Sequence, residues 1–352
     1  MSNHAIGFTY LSQEDLLEAG CFDLRLAMEV AEKTMLSFEQ NRILFPEKIV
    51  QIFDQATQDR INCLPATLLD EEICGVKWVS VFPRNPGLYD QQNLSAIFVL
   101  SEIKKGFPVA VMEGTLASNM RVAAMGGVAA KYLARRDSAI IGFIGAGEQA
   151  KMHLIGMKVV RPGLKECRVC AKTVEEEQKF ISELSPLFPD MKFVAARTHG
   201  RAAMDGADIL VTATSVQAPL LKADWMKPGA FYSHIGGWED EYDVALNCDK
   251  IVCDDWATVC HRTQTLSRMY AEGLLSADDV HADLHELVSE HKPGRESDEE
   301  KIYFNAVGLA YIDVAISLAM YQRATSAGFG TRLDLQQSMI FEHTNIMHQI
   351  RL

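Results

Sequence analysis

No stretch of this chain is apolar for long enough to cross a bilayer as a helix. Basic residues are in the minority. Lys and Arg total 34 against 47 Asp and Glu, a net charge of −13, which argues against a broad cationic face for nucleic acid. Cysteine is thin as well: eight are scattered over 352 residues, the pattern of reduced thiols in a cytoplasmic protein and not of a disulfide framework. Cys167-x-x-Cys170 has no second pair to complete a zinc site and reads as core packing on a strand. His281-x-x-x-His285 has one-face helical spacing but lacks the glutamate of H-E-x-x-H, so it reads as a surface helix, and no metal is expected. G-x-S-x-G, a P-loop and a Cys–His nucleophile pattern are also missing. The opening residues, MSNHAIGFTYLSQEDLLEAG, lack a charged segment followed by an apolar core, so no secretory leader is expected. What remains is an ordinary globular balance, 48% hydrophobic and 23% charged, with enough length for two domains.

One stretch organises the rest. Ala139 to Ala150 reads AIIGFIGAGEQA: an apolar run, Ile140 to Ile144, then Gly145-Ala146-Gly147, then a helix-like segment from Glu148 to Val160. A strand of a parallel sheet buried on both faces should look like this run. The glycines allow a tight turn and let backbone N–H groups approach a pyrophosphate, while the small Ala150 lets helix and strand pack closely. The order strand, glycines, helix is that of a dinucleotide-binding turn, with an ordinary tight βα turn as the alternative.

Around this stretch the pattern changes character. Before Ser138 the chain reads as α+β. A helix starts at Ser12 and stops at Gly20, and a longer one, capped by Asp23, runs to about Gln40. Strand-like pieces follow at Ile49–Phe53, Arg60–Leu64, Val76–Val81, Ser95–Leu100 and Pro108–Met112, with Lys104-Lys105-Gly106 as a hairpin turn. Thr115 is expected to cap a helix reaching about Ala134. From Ser138, strand-like runs at 140–144, 167–171, 193–195, 209–213, 230–235 and 251–253 alternate with helical stretches, the signature of a doubly wound parallel sheet. His291–Glu300 reads as an exposed loop and Ile302–Ala327 as mostly helical.

Several strand ends carry groups suited to ligands. The second strand of the dinucleotide unit ends in Ala171-Lys172-Thr173 and offers no carboxylate for a ribose 2′-OH. A cation and a hydroxyl suit a 2′-phosphate, so NADP(H) is favoured; NAD(H) stays open if Glu175 or Glu176 swings in. Thr212-Ala213-Thr214 and Ser233-His234-Ile235-Gly236 end two further strands where such sheets bind ligands, although each also fits a polar loop start. Asp254-Asp255 reads as a helix cap or a lining of the cofactor crevice.

These residues, together with Lys77 in GVKWVS, Thr115-x-x-Ser118-x-x-Arg121, VTATS at 211–215, KPGAFYSHIGG at 227–237 and FNAVGLAYIDVA at 304–315, resemble the ornithine cyclodeaminase/μ-crystallin family almost end to end. The segment LHELVSEHKPGRESDEE further resembles a branch named after the second subunit of tyramine oxidase. The resemblance implies a Rossmann domain at 131–317 and an α+β substrate-binding and dimerisation domain from 1–130 and 318–352, in a homodimer. It implies hydride transfer between a nicotinamide and the α-carbon of an amino acid or imine. Gly145, Ala146, Gly147, Glu148 and Gln149 would hold the pyrophosphate. Lys172 and Thr173 would meet the adenosine ribose, and Thr115, Thr212, Ala213, Thr214, Ser233, Ile235, Gly236, Val307 and Gly308 would complete the cofactor site. Arg121 matches the family's carboxylate-binding arginine, Lys77 its active-site lysine, and Lys48 stands where many members have an arginine. Read without the resemblance, Arg121 is a helix-surface ion-pair residue and Lys77 an exposed strand lysine. The family's catalytic aspartate has no clean counterpart: Gly236-Gly237 leads into Trp238-Glu239-Asp240, so Glu239 or Asp240 is the candidate base and Trp238 a candidate wall of the substrate pocket. Two other classes fit the same residues, a non-catalytic NADPH and small-ligand binder of μ-crystallin type and an accessory component of an amine-oxidising system.

Overall fold

The computed structural model describes residues 4–342 and 346–351; residues 1–3, 343–345 and 352, all within the expected flanking domain, lie outside the described residues. The chain divides into two compact units. Unit 1 comprises Met1–Phe22, Arg42–Ser118 and Asp313–Leu352, and unit 2 comprises Asp23–Asn41 and Asn119–Ile312.

In chain order the elements begin with β1 (Ile6–Leu11), α1 (Gln13–Glu18) and α2 (Leu24–Glu39). There follow β2 (Ile43–Leu44), β3 (Ile49–Asp54), β4 (Asp59–Leu68), β5 (Ile73–Val81), α3 (Asn85–Tyr89), β6 (Leu94–Glu102), β7 (Pro108–Glu113) and the long α4 (Thr115–Leu133). The alternating region contributes β8 (Ile140–Ile144), α5 (Glu148–Val160), β9 (Glu166–Cys170), α6 (Val174–Leu184), β10 (Lys192–Ala195), α7 (Gly200–Met204), β11 (Ile209–Thr212) and β12 (Phe231–His234). Then come α8 (Tyr242–Leu246), β13 (Lys250–Cys253), α9 (Trp256–Val259), α10 (Thr265–Ala271), β14 (Ala282–Asp283), α11 (Leu284–Val288), β15 (Ile302–Asn305), α12 (Ala310–Ser326) and β16 (Thr331–Gln336).

Unit 1 is built on a mixed sheet in the order β16-β1-β7-β6-β5-β4-β2, with β3 also on β4. Its long hairpins are antiparallel, while β1 runs parallel to β7. The strands β1 and β16 do not stand out in the sequence; they pair with each other antiparallel along one side of the sheet. Helix α1 starts where Ser12 and Asp15 form a reciprocal capping box, and the chain leaves it at Gly20 with φ +70°. At α4 the cap differs from expectation. Glu113 accepts from the Thr115 and Leu116 amides, while the Thr115 hydroxyl accepts from Ala96 N–H at 3.2 Å. A carboxylate two residues upstream takes the first-turn amides, which frees the threonine to tie the helix start to β6.

Unit 2 is an eight-stranded, all-parallel sheet in the order β10-β9-β8-β11-β12-β15-β13-β14. The chain passes from β8 to β9 and β10 on one side, then returns to β11 on the other. The C-terminal ends of β8 and β11 therefore flank the switch point where such sheets bind ligands. The expected helix over 302–327 is corrected at its start, because Ile302–Asn305 form β15, central between β12 and β13. All four residues are buried, so this strand shows no alternation to separate it from a helix.

The expected domain limits also shift. The division falls at Ser118/Asn119 and Ile312/Asp313, and Asp23–Asn41 joins the parallel-sheet unit. The reason is local packing. A Cβ on Gly127 would lie 2.1 Å from Met28 Cε, and one on Gly156 would lie 3.3 Å from it, so α2 fills a seam of glycines on α4 and α5.

Candidate functional site

The turn after β8 is built for close approach. Gly145 has φ +112°, and a Cβ there would lie 2.4 Å from Ala213 O. No L side chain fits that conformation or that space. Gly147 is the N-cap of α5, makes no side-chain cap, and has nothing within 4 Å of where a Cβ would be. The first-turn amides of α5 thus point out beside an open backbone, the arrangement that receives a phosphate. Ala150 is fully buried behind it, as the sequence pattern requires. The residues fit a dinucleotide's pyrophosphate, and the Gln149 side chain beside them donates to Asn119 Oδ1 at 2.8 Å. Glu148 pairs with Lys151 at 2.7 Å and faces solvent.

At the ends of β11 and β12 the expected bases turn out to be inward-facing. Glu239 is fully buried and accepts from Thr214 N–H at 2.5 Å and Gly236 N–H at 2.8 Å. It staples together the two loops that follow β11 and β12. Asp240 is fully buried too; it accepts from the Thr265 hydroxyl at 2.6 Å and from Tyr303 at 3.0 Å. Burial pushes the Asp240 carboxyl above its usual value, against the pull of His234, Thr265 and Tyr303. Neither carboxylate is open to a substrate proton, which removes both as candidate bases. Trp238 packs within its own unit, its ring under the Arg268 guanidinium at 4.5 Å and 6.4 Å from the Tyr242 ring.

Behind these loops lies a buried hydrogen-bond network. Gln264 Nε2 donates to Gly236 O and Ala306 O, so its Oε1 accepts from Asn305 Nδ2. Asn305 must then present Oδ1 to His234 Nδ1 at 3.0 Å, while His234 Nε2 faces Gly237 O at 2.7 Å. The Tyr303 hydroxyl also approaches His234 Nδ1, at 3.0 Å. Carboxylate oxygens of Glu239 and Asp240 lie 3.6 and 3.9 Å from His234 Nε2. Thr212 and Ser233 are likewise buried, with the Thr212 hydroxyl 2.8 Å from that of Tyr232. A Cβ on Gly236 would lie 2.4 Å from Thr214 O, so the two loops touch through that glycine.

Arg121, on α4, is nearly buried. Its guanidinium lies against Gly308, which has φ +94° and where a Cβ would come within 2.6 Å of Arg121 Nη1. The Val307 and Gly308 amides donate to Asp254 Oδ2 at 2.9 and 2.8 Å. Asp254 is pushed up to about 7 by burial, against those two amides and the Arg121 charge. Asp255 caps α9, so the two aspartates divide the roles their position offers, one lining this turn and one capping a helix. In the turn after β9, the Thr173 hydroxyl caps α6 by accepting from Glu176 N–H at 3.2 Å, and Lys172 is exposed.

In unit 1, Lys77 projects from β5 on the face shared by Ile73, Gly75 and Val79 and is 3% exposed. Its ammonium meets Asp313 Oδ2 at 2.6 Å, and Asp313 is fully buried. The ordinary fate of a strand lysine, solvent, is therefore overturned. Lys48 is half-buried and stands one residue before Ile49, which pairs with Cys63, itself opposite Trp78.

Sequence reasoning misses Asp313 as the partner of Lys77. Asp313 lies 236 residues from Lys77, and nothing local marks the pairing. Cys167 and Cys170 pack into the sheet, and among the described residues no cluster has the makings of a metal site.

Comparison with known proteins agrees with this layout. The ornithine cyclodeaminase/mu-crystallin family model matches residues 14–328. The chain is 32% identical over 313 residues to alanine dehydrogenase of Archaeoglobus fulgidus, covering 87% of this chain and 92% of that one. It is 28% identical over 330 residues to N-((2S)-2-amino-2-carboxyethyl)-L-glutamate dehydrogenase of Staphylococcus aureus, covering 93% and 98%. Among solved structures it is similar to Thermococcus litoralis Δ1-pyrroline-2-carboxylate reductase in complex with NADH and L-proline, at TM-score 0.87 and 30% identity over 92% of this chain and 99% of that one. With a family model spanning most of its length and the Rossmann turn in place, the chain belongs to the ornithine cyclodeaminase/mu-crystallin family.

Proposed function

We propose that this chain is a nicotinamide-dependent oxidoreductase that interconverts a small amino acid and its imine. The observation that carries the reading is the turn at Gly145–Gly147, whose missing side chains and uncapped helix start fit a pyrophosphate. A reduced nicotinamide, when bound, supplies the hydride that turns an imine carbon into an amine carbon. Arg121 anchors the substrate carboxylate with a guanidinium fork whose orientation is set by Gly308 and Asp254. Lys77, held as an ammonium by Asp313, gives a proton to the substrate nitrogen or takes one back in the reverse direction. Lys48 adds a further cation for the carboxylate.

With Glu239 and Asp240 both turned inward, no carboxylate from that loop serves as base. This supports reduction or dehydrogenation over cyclodeamination. Relatives named for a dehydrogenase and a reductase, one of them solved with NADH and proline, support the same choice. Lys172 in place of a carboxylate supports NADP(H) over NAD(H). The finer likeness to the tyramine oxidase branch rests on the segment 284–300 alone. A homodimer is supported by a solved relative described as an alanine dehydrogenase dimer. It is also supported by apolar side chains left open on the unit 1 sheet, among them Ile49 at 62%, Phe53 at 60% and Ile97 at 46% exposure.

The test is fluorescence titration with NADPH and NADH, then an absorbance screen of cyclic imines and amino acids. Arg121→Ala should cut kcat/KM about 100-fold, mostly through KM, for loss of a bidentate charged contact. Tight nucleotide binding without turnover on any imine or amino acid would instead make the chain a binding protein.

A further inference from the structure

Two consecutive residues after β10, Arg197 and Thr198, have φ +54° and +64°. Left-handed backbone is rare outside glycine, and for a β-branched threonine it is a true outlier. Such strain persists only where the surroundings hold it. Here the holder is Glu177, a fully buried carboxylate on α6. Its Oε2 accepts from Arg197 N–H at 2.9 Å, and its Oε1 from Thr198 N–H at 2.8 Å and Ala171 N–H at 3.1 Å. The Ala171 and Thr198 nitrogens share one oxygen, so they stand no more than 5.9 Å apart (2.8 + 3.1).

One buried side chain thus ties the turn after β9 to the turn after β10. Each turn carries an exposed cation next to the tie, Lys172 on the first and Arg197 on the second. Neither is taken up by an ion pair among the described residues. On a surface where many cations are paired with acids, two open ones on backbone held this close at the C-terminal ends of adjacent strands are unusual. Solvation of two unrelated surface cations would need no buried carboxylate and no strained backbone.

We propose that Lys172 and Arg197 form a two-cation receptor for the 2′-phosphate of NADP(H), and that Glu177 is the positioning residue that sets their spacing. The proposal rests on the NADP reading above and extends it to a residue in the turn after a different strand. A phosphate monoester presents three oxygens, enough for an ammonium and a guanidinium together. The ribose 2′-OH of NAD(H) offers neither the charge nor the oxygens, so the pair sets selectivity more than overall affinity.

The test measures Kd for NADPH and NADH on the full-length protein and three variants, with thermal melting as a check on folding. Arg197→Ala and Lys172→Ala should each weaken NADPH about 10- to 100-fold and leave NADH within about threefold. Glu177→Gln keeps the size but places an amide where a backbone N–H needs an acceptor. It should lower the NADPH/NADH preference at least tenfold, and adding Arg197→Ala to it should cost less than in the parent. A merely structural role for Glu177 would weaken both nucleotides equally. If the parent prefers NADPH but Arg197→Ala leaves the ratio unchanged, the two-cation receptor is refuted and the NADP reading stands. If the parent prefers NADH, with Glu175 or Glu176 on the ribose, the NADP reading itself falls. Should Glu177→Gln fail to fold, the exposed Arg197 decides the matter alone.

Discussion

Replacing Glu239 by glutamine separates two roles for that carboxylate. In the structure it accepts one backbone N–H on each oxygen, from Thr214 and Gly236, and lies 3.6 Å from the His234 ring. A glutamine of the same size has one acceptor. Its NH2 group must face the second N–H, leaving a buried donor unpaired. Loss of a charge-assisted bond and of that donor's partner together costs about 2–4 kcal/mol. For a unit of this size, that lowers Tm by roughly 5–15 °C. Urea and thermal melts read the effect directly, and kinetics on surviving protein read the rest. A general base removed in the same way would cost about 10²–10⁴ in kcat with little change in melting. A variant that melts within about 2 °C of the parent yet loses 100-fold in kcat would refute the structural role and return Glu239 to the chemistry.

Two further expectations follow from buried charge. Lys77→Ala leaves Asp313 buried without its ammonium and should destabilise the protein by about 3–5 kcal/mol, whereas Lys77→Met with Asp313→Leu should recover most of that stability and no activity; denaturant melts and kinetics on the same samples check both halves. His285 is raised to about 8: burial opposes the charged ring but Asp283 and Glu39 outweigh it. Its folded pKa exceeds the unfolded value, so its stabilisation is fully present below about 6.5 and is lost as pH rises through about 8. The shift corresponds to ~2 kcal/mol at full strength, cut to about 1 by solvent around the pair. His285→Gln should therefore flatten the stability profile between those pH values, and an unchanged slope would refute the assignment.

How much is legible in the sequence depends on whether a residue's partner lies nearby in it. The glycine turn after β8 can be read because strand, glycines and helix are contiguous, and Asp23 and Ser12 can be read because a cap bonds residues two or three places on. The burial of Lys77 cannot, since its partner lies beyond the whole of unit 2's main segment. Glu239 and Asp240 look like loop acids because they follow two glycines and a tryptophan. Apart from the Gly236 amide, what turns them inward are amides and hydroxyls that follow β11, lie on β15 or open α10, none of them close in sequence. β15 passes for helix because four consecutive buried residues show neither period.

The pairing of β1 with β16 has a consequence for how the protein is made. Tyr10 finds its neighbour in Thr331, and Lys77 finds its counter-ion in Asp313, so the mixed sheet cannot be completed until the parallel sheet has been synthesised. During that interval β1 has one flank open and Lys77 has no carboxylate. A nascent chain halted before residue 313 should accordingly bind chaperone through its N-terminal strands, and only the later residues should release it.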